Sequence, residues 1–205
     1  MDPQVNATNQ KTLDVSTLPT FAFGARSPMW WGTLGMIVIE SMVFALAIMA
    51  YFYLRSRSPS WPQDRPPPDL LWGSINAVLM LVSGLPNWWT KRAAESLDLR
   101  RVRIGMTICV LFGVAALLVR IGEFNTLNVR WDTNAYGSIV WMLMGLHTMH
   151  LLTDTYDSIV LMVLMWTGPL EGKRFVDVAE NAGYWYFVVV SWLAVYAVVF
   201  WGARL

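Results

Sequence analysis

What most limits the fold of this chain is a succession of long apolar stretches, each close to the roughly 20 residues a helix needs to cross a bilayer. Five candidate spans can be counted, at about residues 29–54, 70–89, 102–124, 135–166 and 182–203. Hydrophobic residues make up 56% of the chain and charged ones 14%, against roughly 25% charged in an average soluble domain. Twelve tryptophans, with the pairs Trp30–Trp31 and Trp88–Trp89 at the ends of spans, suit an interfacial aromatic belt. The expected fold is an all-α membrane protein, a bundle of five transmembrane helices over residues 29–205 behind a polar N-terminal tail over residues 1–28. That tail has no charged-then-apolar signal pattern. The near-neutral net charge of +1 gives no reason to expect a nucleic-acid partner, and the single cysteine, Cys109, rules out a disulfide framework.

Between the first two spans, RSRSPSWPQDRPPPD is too rich in proline to be helical. The loop TKRAAESLDLRRVR, before the third span, is strongly basic. From Ala135 to Leu170 the only charges are Asp154 and Asp157, and no glycine or proline marks a turn around them. One helix of that length would run about 54 Å and project beyond the membrane on one side. The tail, the 90–103 loop and the 167–181 loop carry Lys11, Arg26, Lys91, Arg92, Arg100, Arg101, Arg103, Lys173 and Arg174; the opposite side has Arg55, Arg57, Arg65, Arg130 and Arg204. The positive-inside bias then puts the N-terminus in the cytoplasm and the C-terminus outside.

Several polar groups interrupt the apolar spans. Glu40 sits near the middle of the first, where an acid is either linked to protons or bonded to a neighbouring helix as packing glue. Arg120 and Glu123 are spaced for a local ion pair at the end of the third span. His147, His150, Asp154 and Asp157 fall at i, i+3, i+7 and i+10, on one helical face. Two histidines and an acid on one face could form a weak metal site, but two neutral imidazoles bonded to adjacent helices are the simpler reading. They cannot grip one haem from opposite sides. A haem–copper centre takes several histidines and a dinuclear thiolate copper site takes paired cysteines, so this chain holds neither by itself. It also lacks a phosphate loop, a nucleophile elbow and a catalytic triad pattern. We expect no catalytic residue and no bound metal. Trp88, Trp89 and Arg92 together could contact lipid head groups.

These residues resemble the cytochrome c oxidase subunit III family. Glu123 stands where the family has a glutamate before a loop, Tyr136-Gly137-Ser138 matches its YGS, and Gly145-Leu146-His147-Thr148-Met149-His150 is similar to its G-F-H-G-L-H. GTLGMIVIESMVFALAIMAYFY resembles the family helix with a buried glutamate, with Glu40 at that position and Phe44 and Ala45 in register. Ser83-Gly84 and Trp89 fit the next helix, and YWYFVVVSWL resembles the last, Y-W-H-F-V-D-V-V-W-L. Tyr186 and Val189 replace that helix's His and Asp, Thr148 replaces a glycine, and Asp154 and Asp157 have no family counterpart. The chain starts at the third helix of the family's seven-helix form, as short bacterial members do.

The resemblance implies a non-catalytic subunit III of a proton-pumping haem–copper terminal oxidase in a bacterial inner membrane and an aerobic respiratory chain. It would pack beside a haem-bearing subunit I and a copper-bearing or quinol-type subunit II. Haem and copper would lie in those partners, with phospholipid held against the chain, and Glu40 and Glu123 would be the buried acids of interest for proton uptake. Two alternatives stay open: an accessory protein of a nitric oxide reductase, and an independent small transporter or metal carrier using the histidine stripe.

Overall fold

The computed structural model describes residues 21–63, 65–169 and 171–205; the expected polar tail falls outside them up to residue 20. After a 3₁₀ turn at Gly24–Arg26 come α1 (Pro28–Arg57), α2 (Leu70–Glu95), α3 (Leu99–Asn125), α4 (Ala135–Thr167) and α5 (Gly172–Tyr196), which runs into a π-helical turn at Ala197–Trp201. The described residues contain no strand. By length and composition α1, α2, α3, and α5 with its π turn can each cross a membrane. α4 is a single helix of 33 residues, but its histidines and aspartates dilute the apolar run and keep it outside that group.

Local chemistry starts these helices where they start. The Ser27 hydroxyl accepts the Met29 N–H at 3.2 Å and Pro28 occupies the first helical position of α1. The Asp98 carboxylate caps α3 through the Arg101 N–H at 3.1 Å, and the Asn134 side-chain oxygen caps α4 through Gly137 at 2.8 Å. Helix nevertheless reaches further than the apolar stretches. α1 continues through Arg57, because the first proline comes only at Pro59. The basic 90–103 stretch is helical except for Ser96–Asp98, since Ala93, Ala94 and Val102 bury themselves beside Met165 and Phe175. α5 starts ten residues before Ala182. There Phe175, Val176, Val178, Ala179 and Ala182 recur at helical spacing and are buried.

α2 packs on α3 and α5, α3 on α4, and α4 on α5, while α1 lies across α4 and α5. Only Phe44, Ala47 and Tyr51 of α1 are buried. Trp61, from the proline-rich loop, folds back to donate to the Tyr51 hydroxyl at 2.9 Å and packs edge-on to Tyr136. α3 and α4 come together at Gly113, where a Cβ would stand 2.7 Å from Thr155 Oγ1 and 3.1 Å from its methyl. Gly113→Val should therefore push these helices apart and cost about 1–3 kcal/mol. The thermal midpoint of the detergent-solubilised protein would fall; an unchanged midpoint would show that the two helices separate freely.

Candidate functional site

The polar face of α4 divides into two sites. His147 points into the bundle and meets Arg120 and Glu123 of α3, whereas His150 turns toward Glu40 of α1. Asp154 and Asp157 line a cleft beyond it. Helical spacing places all four on one side of α4, but the neighbouring helices decide which of them meet.

In the inner site, an Arg120 N–H donates to Glu123 Oε2 at 2.8 Å, and the two side chains are 2% and 0% exposed. The Asn76 amide of α2 donates to the same oxygen at 3.0 Å. A second Arg120 N–H reaches His147 Nδ1 at 2.8 Å. A guanidinium can only donate, so Nδ1 accepts, and the imidazole proton sits on Nε2 and goes to the Val188 carbonyl at 3.0 Å. The guanidinium also lies 4.0 Å from the ring centroid of Trp192 on α5, a cation–π contact. One charge pair thus joins α2, α3, α4 and α5. A buried pair of this kind adds little net stability but penalises any packing that separates its members.

Both His147 nitrogens are engaged, so this ring offers no lone pair to a metal. Among the described residues no group of three or more His, Cys, Asp or Glu converges in a metal-binding arrangement. The residues present do not fit a haem or a copper ion.

In the outer site, the Tyr184 hydroxyl of α5 donates to Glu40 Oε2 at 2.6 Å, and His150 Nε2 lies 3.5 Å from Glu40 Oε1. His150 Nδ1 donates to the Leu146 carbonyl at 2.7 Å. A neutral ring with its proton on Nδ1 presents a bare Nε2, so contact between Nε2 and Glu40 takes one further proton, on the ring or on the carboxyl group. Phe44 packs over His150 at 5.1 Å and Phe187 stands at 6.2 Å. Glu40 remains 23% exposed, at the inner end of a cleft between α1 on one side and α4 and α5 on the other. The cleft has a volume of about 660 Å³.

Arg92 lies 5.0 Å over the Trp88 ring on the outer surface of α2, with Trp88 exposed and Trp89 half-buried. Tyr186, in the place of the family's histidine, lies 3.5 Å from the Gly84 carbonyl; Val189, in the place of its aspartate, is buried and apolar. Sequence reasoning missed Tyr184 and Asn76. The one available signal was that Asn76 is an amide near the middle of an apolar span, where it needs a partner. Tyr184 carried none, because an aromatic at a span end reads equally well as an anchor.

The model of one family, cytochrome c oxidase subunit III, matches residues 16–204. A cytochrome c oxidase subunit 3 of Synechocystis is 25% identical over 177 residues, covering 83% of this chain and 74% of the relative. One of Thermostichus vulcanus is 23% identical over 173 residues, covering 82% and 85%. One of Pylaiella littoralis is 24% identical over 178 residues, covering 82% and 65%.

Proposed function

Because the chain belongs to the cytochrome c oxidase subunit III family, we propose that it is a subunit without a redox centre in a proton-pumping haem–copper terminal oxidase. It packs beside a haem-bearing subunit I, with a copper-bearing or quinol-type subunit II in the same complex. It works in a bacterial inner membrane with its N-terminus cytoplasmic and its C-terminus outside. The single observation that carries this reading is the extent of the family match, which runs through every helix from α1 to the π turn.

α4 is then the fifth span. Its polar side is turned inward, with His147 and Asp154 buried, and its outer side presents Met142, Met149, Leu152, Val163 and Trp166 to lipid. A helix of this kind turns its few strongly polar side chains toward the other helices and large apolar ones toward the bilayer, which is what a span inside a bundle needs. Trp88, Trp89 and Arg92 hold phospholipid at one interface. Glu40 supports proton supply to the haem-bearing subunit, and Glu123 fixes the bundle around Arg120.

Purification of the chain from its native membrane tests the assignment. The proposal requires a haem-bearing subunit that reduces oxygen to come down with it. A partner that reduces nitric oxide, or no haem-bearing partner at all, would overturn it. Within the complex, Glu40→Gln keeps an acceptor for Tyr184 but cannot exchange a proton with His150. Proton uptake during turnover, followed with a pH-sensitive dye, is expected to slow on the order of tenfold, the rate equivalent of about 1.4 kcal/mol. Unchanged uptake and unchanged catalytic lifetime would reduce Glu40 to packing.

A further inference from the structure

The cleft between α1, α4 and α5 carries more acid than packing calls for. Asp154 and Asp157 line it from α4, Asp177 and Glu180 from α5, and Glu40 closes it from α1; Arg174 is the one base among these lining residues. The acids are staggered in depth. The positions from Arg174 to Tyr184 on α5 cover about 15 Å of helix, so the cleft runs from the end of the bundle to the Glu40–Tyr184 contact.

Asp154 is the group that packing does not explain. It is 4% exposed, it lines the cleft, and among the described residues its Oδ2 has no hydrogen-bond partner. A buried polar atom left unpaired costs about 1–3 kcal/mol, so something in the cleft must bond to it. The volume of about 660 Å³ is room for on the order of twenty waters at about 30 Å³ each.

We propose that this cleft is a one-sided aqueous vestibule that brings water and protons from the α5 N-terminal end of the bundle to the Glu40–His150 pair, with Asp154 as the acid that holds a proton midway. A proton enters from hydronium at the mouth and binds an Asp154 carboxylate oxygen. It then passes through cleft water to Glu40 or to His150 Nε2. Asp154 and Glu40 become neutral carboxylic acids on accepting the proton and His150 becomes an imidazolium, while hydronium is left as water and Asp154 returns to its carboxylate, so no other reactant is consumed. Nδ1 of His150 is tied to the Leu146 carbonyl, so the imidazole does not hand the proton onward through that nitrogen, and the pair is where the vestibule ends. This deepens the proposed role of Glu40, and it rests on the proposed orientation only in making the vestibule's mouth cytoplasmic.

The chain has one native cysteine, Cys109, which makes thiol labelling a direct test in the full-length protein within its complex. In a Cys109→Ser background, Asp157→Cys, Asp154→Cys and Glu40→Cys are exposed in turn to small water-soluble thiol reagents from each face of sealed vesicles. All three positions should react from one face only. At Glu40→Cys a cationic reagent should react at least about tenfold faster than an anionic one, because an acidic cleft concentrates cations. Gly32 lines the cleft and a Cβ there meets no atom within 4 Å, so adding Gly32→Leu should block the deep position without altering an acid. Asp157 is exposed, and its variant reports on the mouth even if a deeper variant fails to assemble. Labelling at Glu40→Cys from both faces, labelling without charge preference, or no labelling beyond Asp157→Cys would each overturn the vestibule. Labelling from the outer face alone would keep the vestibule and overturn the orientation. Asp154→Asn should slow dye-reported proton uptake as Glu40→Gln does; unchanged uptake would remove Asp154 from the route.

Discussion

Arg120→Ala is expected to destabilise the protein by about 3–5 kcal/mol, the cost of leaving one member of a buried ion pair alone. Glu123, with 0% exposure, would keep only the Asn76 amide as a donor, and His147 Nδ1 would lose its own. Chemical unfolding of the purified protein in detergent would show the loss as a lower denaturation midpoint. The double replacement Arg120→Met with Glu123→Leu should recover most of it, because two apolar side chains leave no charge uncompensated. A single variant as stable as the parent would mean that water reaches Glu123, contrary to the closed packing around it.

Trp192→Ala should cost a similar amount, about 3–5 kcal/mol, from the cavity left by the largest fully buried side chain. Two contacts add to the void: the guanidinium of Arg120 at 4.0 Å and the ring of His147 at 5.1 Å. Trp192→Phe keeps an aromatic face toward Arg120 and should lose much less. A double-mutant cycle between Arg120 and Trp192 isolates the cation–π contribution, expected at about 2 kcal/mol for a pair out of water. A coupling energy of zero would make the stacking incidental to packing.

The helices could be read from the sequence because the signal is local. Runs of about 20 apolar residues, Pro59 after α1 and the absence of proline between Ala135 and Thr167 fix where helix can exist. The places where helix outran the reading, at residues 90–95 and 172–181, are amphipathic, and counting apolar residues passes over an amphipathic segment. In the site, the pairing of Arg120 with Glu123 is a short-range fact. The partners across helices are not: Asn76 and Glu123 lie 47 residues apart, and His147 and the Val188 carbonyl 41. Periodicity places His147, His150, Asp154 and Asp157 on one face of α4 but says nothing about which helix stands opposite each of them. What Asp154 and Asp157 face is the cleft that α1 and α5 leave in front of them, a feature of three helices and not of one.

The loose attachment of α1 has a consequence for biosynthesis. Tyr184, which donates to Glu40, comes 144 residues later in the chain, so at roughly 5–20 residues per second it is made about 7–30 s after Glu40. For most of that interval the ribosome has delivered a glutamate-bearing span whose partners are missing, since α4 is complete only at Thr167 and α5 starts at Gly172. The quality of the newly made protein then turns on how well the insertion machinery shelters α1 until the C-terminal half arrives. Slowing translation after α1 should lower the yield of assembled protein far more than slowing it after α5.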